Sequence, residues 1–213
     1  MQPIKSIEVI STGNGQPLII LHGWTSGTVD WVDHVNIFSQ SFSCYYWNVR
    51  AYFDDTTTIE LLAKDLHSVI HHYGLESPVL LGHSMGTLTI LEYLQQYGEN
   101  NISAVIFIDQ SPKIITDENW DLGLFRNFSK SDNESFVKNL EENFTDTVMN
   151  LLLDSKHLSE KEQEILLRSK FFSDRVERIR NFDPHPWIHC WKSFVYKDYR
   201  EILTKINVPA LLI

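Results

Sequence analysis

The sequence has only two cysteines, Cys44 and Cys190, no cluster of lysine or arginine, and no apolar run near the about 20 residues that cross a bilayer. Each absence closes a route. Two cysteines are too few for a disulfide framework, and Cys44 lies within a strand pattern. No membrane span is expected. Basic residues number 18 against 28 acidic ones, and the formal charge of −10 speaks against nucleic acid or an anionic membrane surface as a partner. Met1-Gln2-Pro3-Ile4-Lys5 leads straight into a strand pattern, so no secretory leader is expected and the expected compartment is the cytoplasm. The sequons that begin at Asn101, Asn127, Asn133 and Asn143 are then accidents of composition. There is no internal repeat and no low-complexity tract. No His/Cys/Asp grouping has ligand spacing, so neither a metal nor an organic cofactor is implied.

What is present suits one sizeable core: 213 residues, of which 43% are hydrophobic. Strand and helix patterns alternate, as a doubly wound, mostly parallel sheet requires. Pro17–Leu21, Ser43–Trp47, Pro78–Leu81 and Ile102–Ile108 read as strands, and Ile206 to Ile213 begins another. Thr57 to Tyr73 reads as an amphipathic helix with Ile59, Leu62, Leu66, Val69 and Ile70 inward and Gly74 at its end. From residue 112 to 187 the character changes to charged and aromatic residues at helical spacing. Ser131–Glu134 and Ser159–Glu162 are candidate capping boxes there. A helix from Ile188 towards Ile202 then returns the chain to the core.

Two short motifs carry chemistry. Gly82-His83-Ser84-Met85-Gly86 follows the strand Pro78–Leu81 and precedes the helical run Thr87–Tyr97. A serine on a sharp strand-to-helix turn, with glycine two positions to either side, has the form of a nucleophile elbow. The alternative is an ordinary loop with an incidental serine. The strand Pro17–Leu21 ends in His22-Gly23-Trp24. A tetrahedral oxyanion needs two N–H donors, which fall to the backbones of Met85, after the serine, and Trp24, in the earlier loop. His22 then orders the loop and is not the general base.

On these residues the chain resembles the α/β-hydrolase superfamily, in particular its small bacterial esterase, lipase and cofactor-free haloperoxidase branch. The resemblance runs from about Ile7 to the last residue. Ile7 to Pro17 looks like that branch's first hairpin. Asn48-Val49-Arg50-Ala51-Tyr52-Phe53 stands in place of an Asp-x-Arg-Gly-x-Gly turn and departs from it at Asn48, Ala51 and Phe53, which bears on the pocket rim. The resemblance implies an α/β-hydrolase core over 1–111, a helical cap inserted after the sixth strand over 112–187, and a return to the core over 188–213. The cap would roof Ser84, with Trp120, Phe125, Phe128, Phe136, Phe144, Phe171 and Phe172 as candidate walls or simply cap core.

In the family the strand that begins near Ile206 is followed by an acid turn, a further strand, the catalytic histidine and a final helix. The sequence ends at Ile213, so by family pattern it lacks the C-terminal strand and helix and the general-base histidine. Asp109, at the tip of the strand Ile102–Ile108, is the candidate acid, as in branches that place their carboxylate there. The alternative is a cap-hinge residue. His67, His71 and His72 are expected in solvent and His83 pointing away from the cleft. His157, His185 and His189 are assigned to the cap or its return. The expected activity is hydrolysis of a small or medium carboxylic ester with an apolar group through an acyl-enzyme on Ser84. Haloperoxidase-type or thioesterase chemistry on the same scaffold, or a non-catalytic ligand-binding pseudoenzyme, are the rivals.

Overall fold

The computed structural model describes residues 7–154 and 159–213; the opening Met1–Lys5 and His157 lie outside them. Six strands form one sheet: β1 (Ile10–Thr12), β2 (Gln16–Leu21), β3 (Phe42–Tyr46), β4 (Val79–His83), β5 (Ala104–Ile108) and β6 (Ala210–Leu212), in the order β1-β3-β2-β4-β5-β6. All neighbours are parallel except β1 with β3. The expected opening hairpin is therefore not formed. β1 pairs with β3, because the crossover through α1 (Val32–Phe38) lays β3 along the edge of β2 that a hairpin would have used.

Side-chain alternation divides the strands between two apolar layers. Ile19, Leu21, Leu80, Val105 and Phe107 face α2 (Ile59–His72) and α3 (Met85–Tyr97). Leu18, Ile20, Val79 and Leu81 face Trp31 and Val35 of the α1 segment. The inward residues expected of α2 are buried, and its N-cap is Thr58, whose hydroxyl accepts from the Leu61 N–H. Helix α3 is buried along nearly its whole length, which fixes the residue at its head.

The cap segment leaves after β5, the strand ending at Ile108, where the sequence placed it. It forms α4 (Lys130–Glu142), α5 (Phe144–Asp154), α6 (Glu160–Leu167) and α7 (Lys170–Arg180). The first capping box is formed two residues earlier than expected, between Ser129 and Asp132, because Ser129 holds the extended backbone a cap needs. The box Ser159–Glu162 forms as expected. The returning helix is not continuous: α8 (Pro184–Phe194) starts earlier, with Asp183 as N-cap, and α9 (Arg200–Leu203) follows a break. At that break Tyr199 is buried and donates its hydroxyl to Glu92 of α3 at 2.7 Å, which no continuous helix would place there. Among the described residues no helix is long and apolar enough to cross a membrane.

The atypical turn after β3 is well tied. Asn48 Oδ1 accepts from the Thr28 N–H at 2.9 Å. The Tyr52 hydroxyl donates to the Ser26 carbonyl at 2.9 Å, and Arg50 holds the buried Asp65 through two hydrogen bonds of 2.6 and 2.7 Å. His22 joins this turn to the end of β2: its Nε2 accepts from the Val49 N–H at 3.2 Å while Nδ1–H donates to the Gly23 carbonyl at 2.8 Å. That pair of bonds requires the neutral ring.

Two outcomes follow. Arg50→Leu strands the Asp65 carboxylate in the interior and should cost about 3 kcal/mol in urea unfolding. Burial lowers His22 to about 4 from the ordinary 6.5. The unfolded chain takes up this proton near pH 6.5, whereas the folded chain refuses it until about pH 4. Stability tied to the neutral ring is whole above 6.5 and lost as pH falls through that window, by about 2 kcal/mol at pH 5. Nitrogen-15 NMR of the ring should show it neutral at pH 5; a midpoint near 6.5 would remove it from this role.

Candidate active site

The turn between β4 and α3 places Ser84 with φ +51° and ψ −120°, a backbone that a non-glycine residue avoids unless its surroundings impose it. The surroundings do. Ser84 N–H donates to the Ile108 carbonyl of β5 at 3.0 Å, and its own carbonyl accepts from Thr87 N–H at 2.8 Å as α3 begins. Gly86 lies so close to β2 that a Cβ there would stand 2.1 Å from the Leu21 oxygen. The serine side chain makes no cap bond to the helix it heads, and Ser84 lines a cavity.

The loop after β2 passes directly beside this turn. A Cβ on Gly23 would stand 3.3 Å from Ser84 Cβ and 3.0 Å from His83 Nδ1. Trp24 is the next residue, and within the described residues neither its N–H nor that of Met85 donates to another group of the chain. Both residues line the same cavity as Ser84. Trp24 is anchored from above, its Nε1–H donating to the Trp187 carbonyl of α8 at 2.9 Å, with its ring against Phe136, Phe144 and Trp191.

Ser84, Met85, Trp24 and Asp109 all line one cavity of about 1080 Å³ between sheet and cap. Asp109 sits just past β5 with φ +48°, its N–H donating to the Ile213 carbonyl at 2.9 Å. Of the aromatic wall candidates, Phe125, Phe171 and Phe172 line the cavity. Phe128, Phe136 and Phe144 pack instead around Trp24 and Trp191, and Trp120 lies under the Arg200 guanidinium. Much of the wall is aliphatic, including Leu151, Leu152 and Leu166. Their spacing in the sequence is that of any cap helix, so it carried no signal.

The histidines divide differently from expectation. His83 lines the cavity rather than facing away from it, because Ser84 ends the strand's alternation and the loop at Gly23 wraps over His83. His34, one turn into α1, also lines the cavity and lies 5.4 Å from Trp31, ring centre to ring centre. Sequence reasoning missed it, since a histidine on an amphipathic helix carries no signal of what the sheet edge places beside it. His185 is exposed at the start of α8 and His189 bonds the Thr57 carbonyl. His71 and His72 are exposed, while His67 is half-buried and stacked on Tyr97. Among the described residues no three His, Cys, Asp or Glu side chains gather to hold a metal ion.

Comparison with known proteins bears on the fold. The non-heme chloroperoxidase CPO-A1 of Kitasatospora aureofaciens is 19% identical over 94% of this chain and 74% of its own length. An esterase from Exiguobacterium antarcticum superposes with a TM-score of 0.79 at 23% identity, over 97% of this chain and 75% of that one. A bromoperoxidase from Bacillus anthracis does so with a TM-score of 0.82 at 20% identity, over 97% and 76%. At these identities the superpositions show the fold alone. The model of the α/β hydrolase fold matches residues 16–213, nearly the whole sequence, and the chain belongs to that family.

Proposed function

We propose that the protein is a serine hydrolase of small carboxylic esters, with Ser84 as nucleophile. The observation that carries this reading is the backbone of Ser84. Holding a serine at φ +51° costs about 1–3 kcal/mol, and such strain is retained where the residue's exposed position is used. Ser84 Oγ attacks the ester carbonyl, its proton passes to a general base, and the carbonyl electron pair moves onto oxygen. The N–H groups of Trp24 and Met85 hold that oxyanion. Collapse expels the alcohol with a proton and leaves an acyl-enzyme. Water then attacks the acyl carbon, releasing the acid and restoring the serine.

Asp109 belongs in this scheme as the acid that orients the base, supported by its place on the cavity wall beside Ser84. The base is a histidine by the logic of the chemistry. His34 and His83 are the imidazoles lining the cavity among the described residues. The apolar walls suit a substrate with an apolar acyl or alcohol group.

A fluorophosphonate probe reacts with a serine only when a base activates it and an oxyanion site is formed. The folded 213-residue chain should label, and Ser84→Ala should abolish the label. A folded chain that stays unlabelled would overturn the hydrolase reading for this chain and favour a ligand-binding pseudoenzyme.

Haloperoxidase-type chemistry is favoured as a second reading by the non-heme chloroperoxidase that matches nearly the whole chain. Hydrogen peroxide would replace water at the acyl-enzyme, releasing a peracid. Adding peroxide to an acetate-containing assay should then produce halide oxidation that Ser84→Ala removes; ester turnover without it confines the protein to hydrolysis.

A further inference from the structure

A knot of charge stands in the cavity wall beside the Trp24 loop. Arg175, on cap helix α7, is 8% exposed and lines the same cavity as Ser84. Its Nη1 donates to Asp30 Oδ2 at 2.8 Å, and Nη2 makes a long contact of 3.5 Å with the Thr25 hydroxyl. Arg178, one turn on, donates to both oxygens of the same Asp30 at 2.7 and 3.0 Å. Asp30 also accepts from the Ser26 hydroxyl at 2.5 Å and the Gly27 N–H at 3.1 Å.

Two guanidiniums therefore share one carboxylate that is already saturated. No other carboxylate pairs with either arginine among the described residues. The remaining titratable neighbours do not supply a negative charge: burial pushes the Tyr52 phenol up to about 12 and holds His22 neutral. Burial also pulls Arg175 down against the attraction of Asp30. One positive charge is left over in a largely desolvated wall, which is costly unless an anion meets it.

Arg175 keeps donor capacity that the protein does not use. A guanidinium has five N–H donors, and Arg175 uses two, one of them on a long contact. Its Nε is buried without a partner. Nε is closed off within the protein, as is that of Arg178, so the donors Arg175 can offer to the cavity are on its terminal nitrogens, and Nη2 holds only its one long contact. Were the arginines present only to lock the cap to Asp30, Arg178 alone would neutralise it.

We propose that Arg175 is a specificity-determining residue that receives a carboxylate carried by the substrate. The favoured class is then the monoester of a short dicarboxylic acid, or a lactone bearing a free carboxylate. The ester end lies at Ser84 and the anionic end at Nη2 of Arg175, with apolar wall between them. This deepens the Ser84 reading and rests on it for the word substrate, but the binding it calls for does not depend on turnover.

Calorimetric titration of the Ser84→Ala chain tests it with two probes, monomethyl hexanedioate and its uncharged dimethyl ester. The monoanion should bind roughly ten-fold or more tightly than the diester. Equal affinities overturn the proposal without need of a further variant. Arg175→Met should abolish the preference while leaving diester binding, and Arg175→Lys should restore part of it. Arg126 is a cation on the same cavity wall but exposed, and Arg126→Gln should keep the preference. A preference that survives Arg175→Met, or is lost with Arg126→Gln, also overturns it. Fluorophosphonate labelling separates the two readings. A preference with an unlabelled serine leaves the anion subsite standing and removes the hydrolase; a labelled serine without the preference does the reverse.

Discussion

The rest of the site depends on one close approach, that of the head of α3 to the tip of β2. The Leu21 carbonyl lies where a Cβ on residue 86 would stand, so only glycine lets the helix start there. That contact sets the distance between the turn bearing Ser84 and the loop bearing Trp24, three residues past Leu21. Parallel pairing of β2 with β4 brings Leu21 level with Gly82, and pairing of β4 with β5 brings His83 level with Ile108, where the Ser84 N–H is held. The elbow's strain is maintained by the buried sheet and not by the loop itself. A turn on such a footing holds its backbone in place before any ligand arrives.

Much of this was legible in the sequence, and for a definite reason. The parallel strands are buried on both faces and read as unbroken apolar runs, while glycine marks where backbones touch. Gly82-His83-Ser84-Met85-Gly86 and His22-Gly23-Trp24 therefore announced their elements and their mutual order. The pairing of β1 with β3 was not legible, because a three-residue edge strand carries no record of its partner. Nor was the break before α9, which is set by the buried hydroxyl of Tyr199 meeting Glu92 across 107 positions. His34 and the aliphatic wall of the cavity escaped for the same reason. Local periodicity tells which side of a helix is inside, but not what lies opposite it.

The cap illustrates how charge and apolar packing divide the labour. Its aromatic residues close around Trp24 and Trp191, forming a dry floor above the Trp24 loop. Its arginines reach past that floor to Asp30, which belongs to the core. Neither set makes the cavity wall polar throughout, so a ligand meets oil along most of its length and charge at restricted points. Specificity in such a cavity comes from where the few polar groups stand and not from total contact area.

The hydrogen bond from the Trp24 indole to the Trp187 carbonyl ties the roof to the same residue whose backbone flanks Ser84. Roof and Trp24 loop are thus one mechanical unit. In laboratory recombination, where caps are exchanged between scaffolds to change selectivity, a graft here that omits the start of α8 removes the strut that holds the Trp24 peptide at its angle. The crossover point for such chimeras therefore belongs before Asp183, the N-cap of α8, so that the native strut travels with the core.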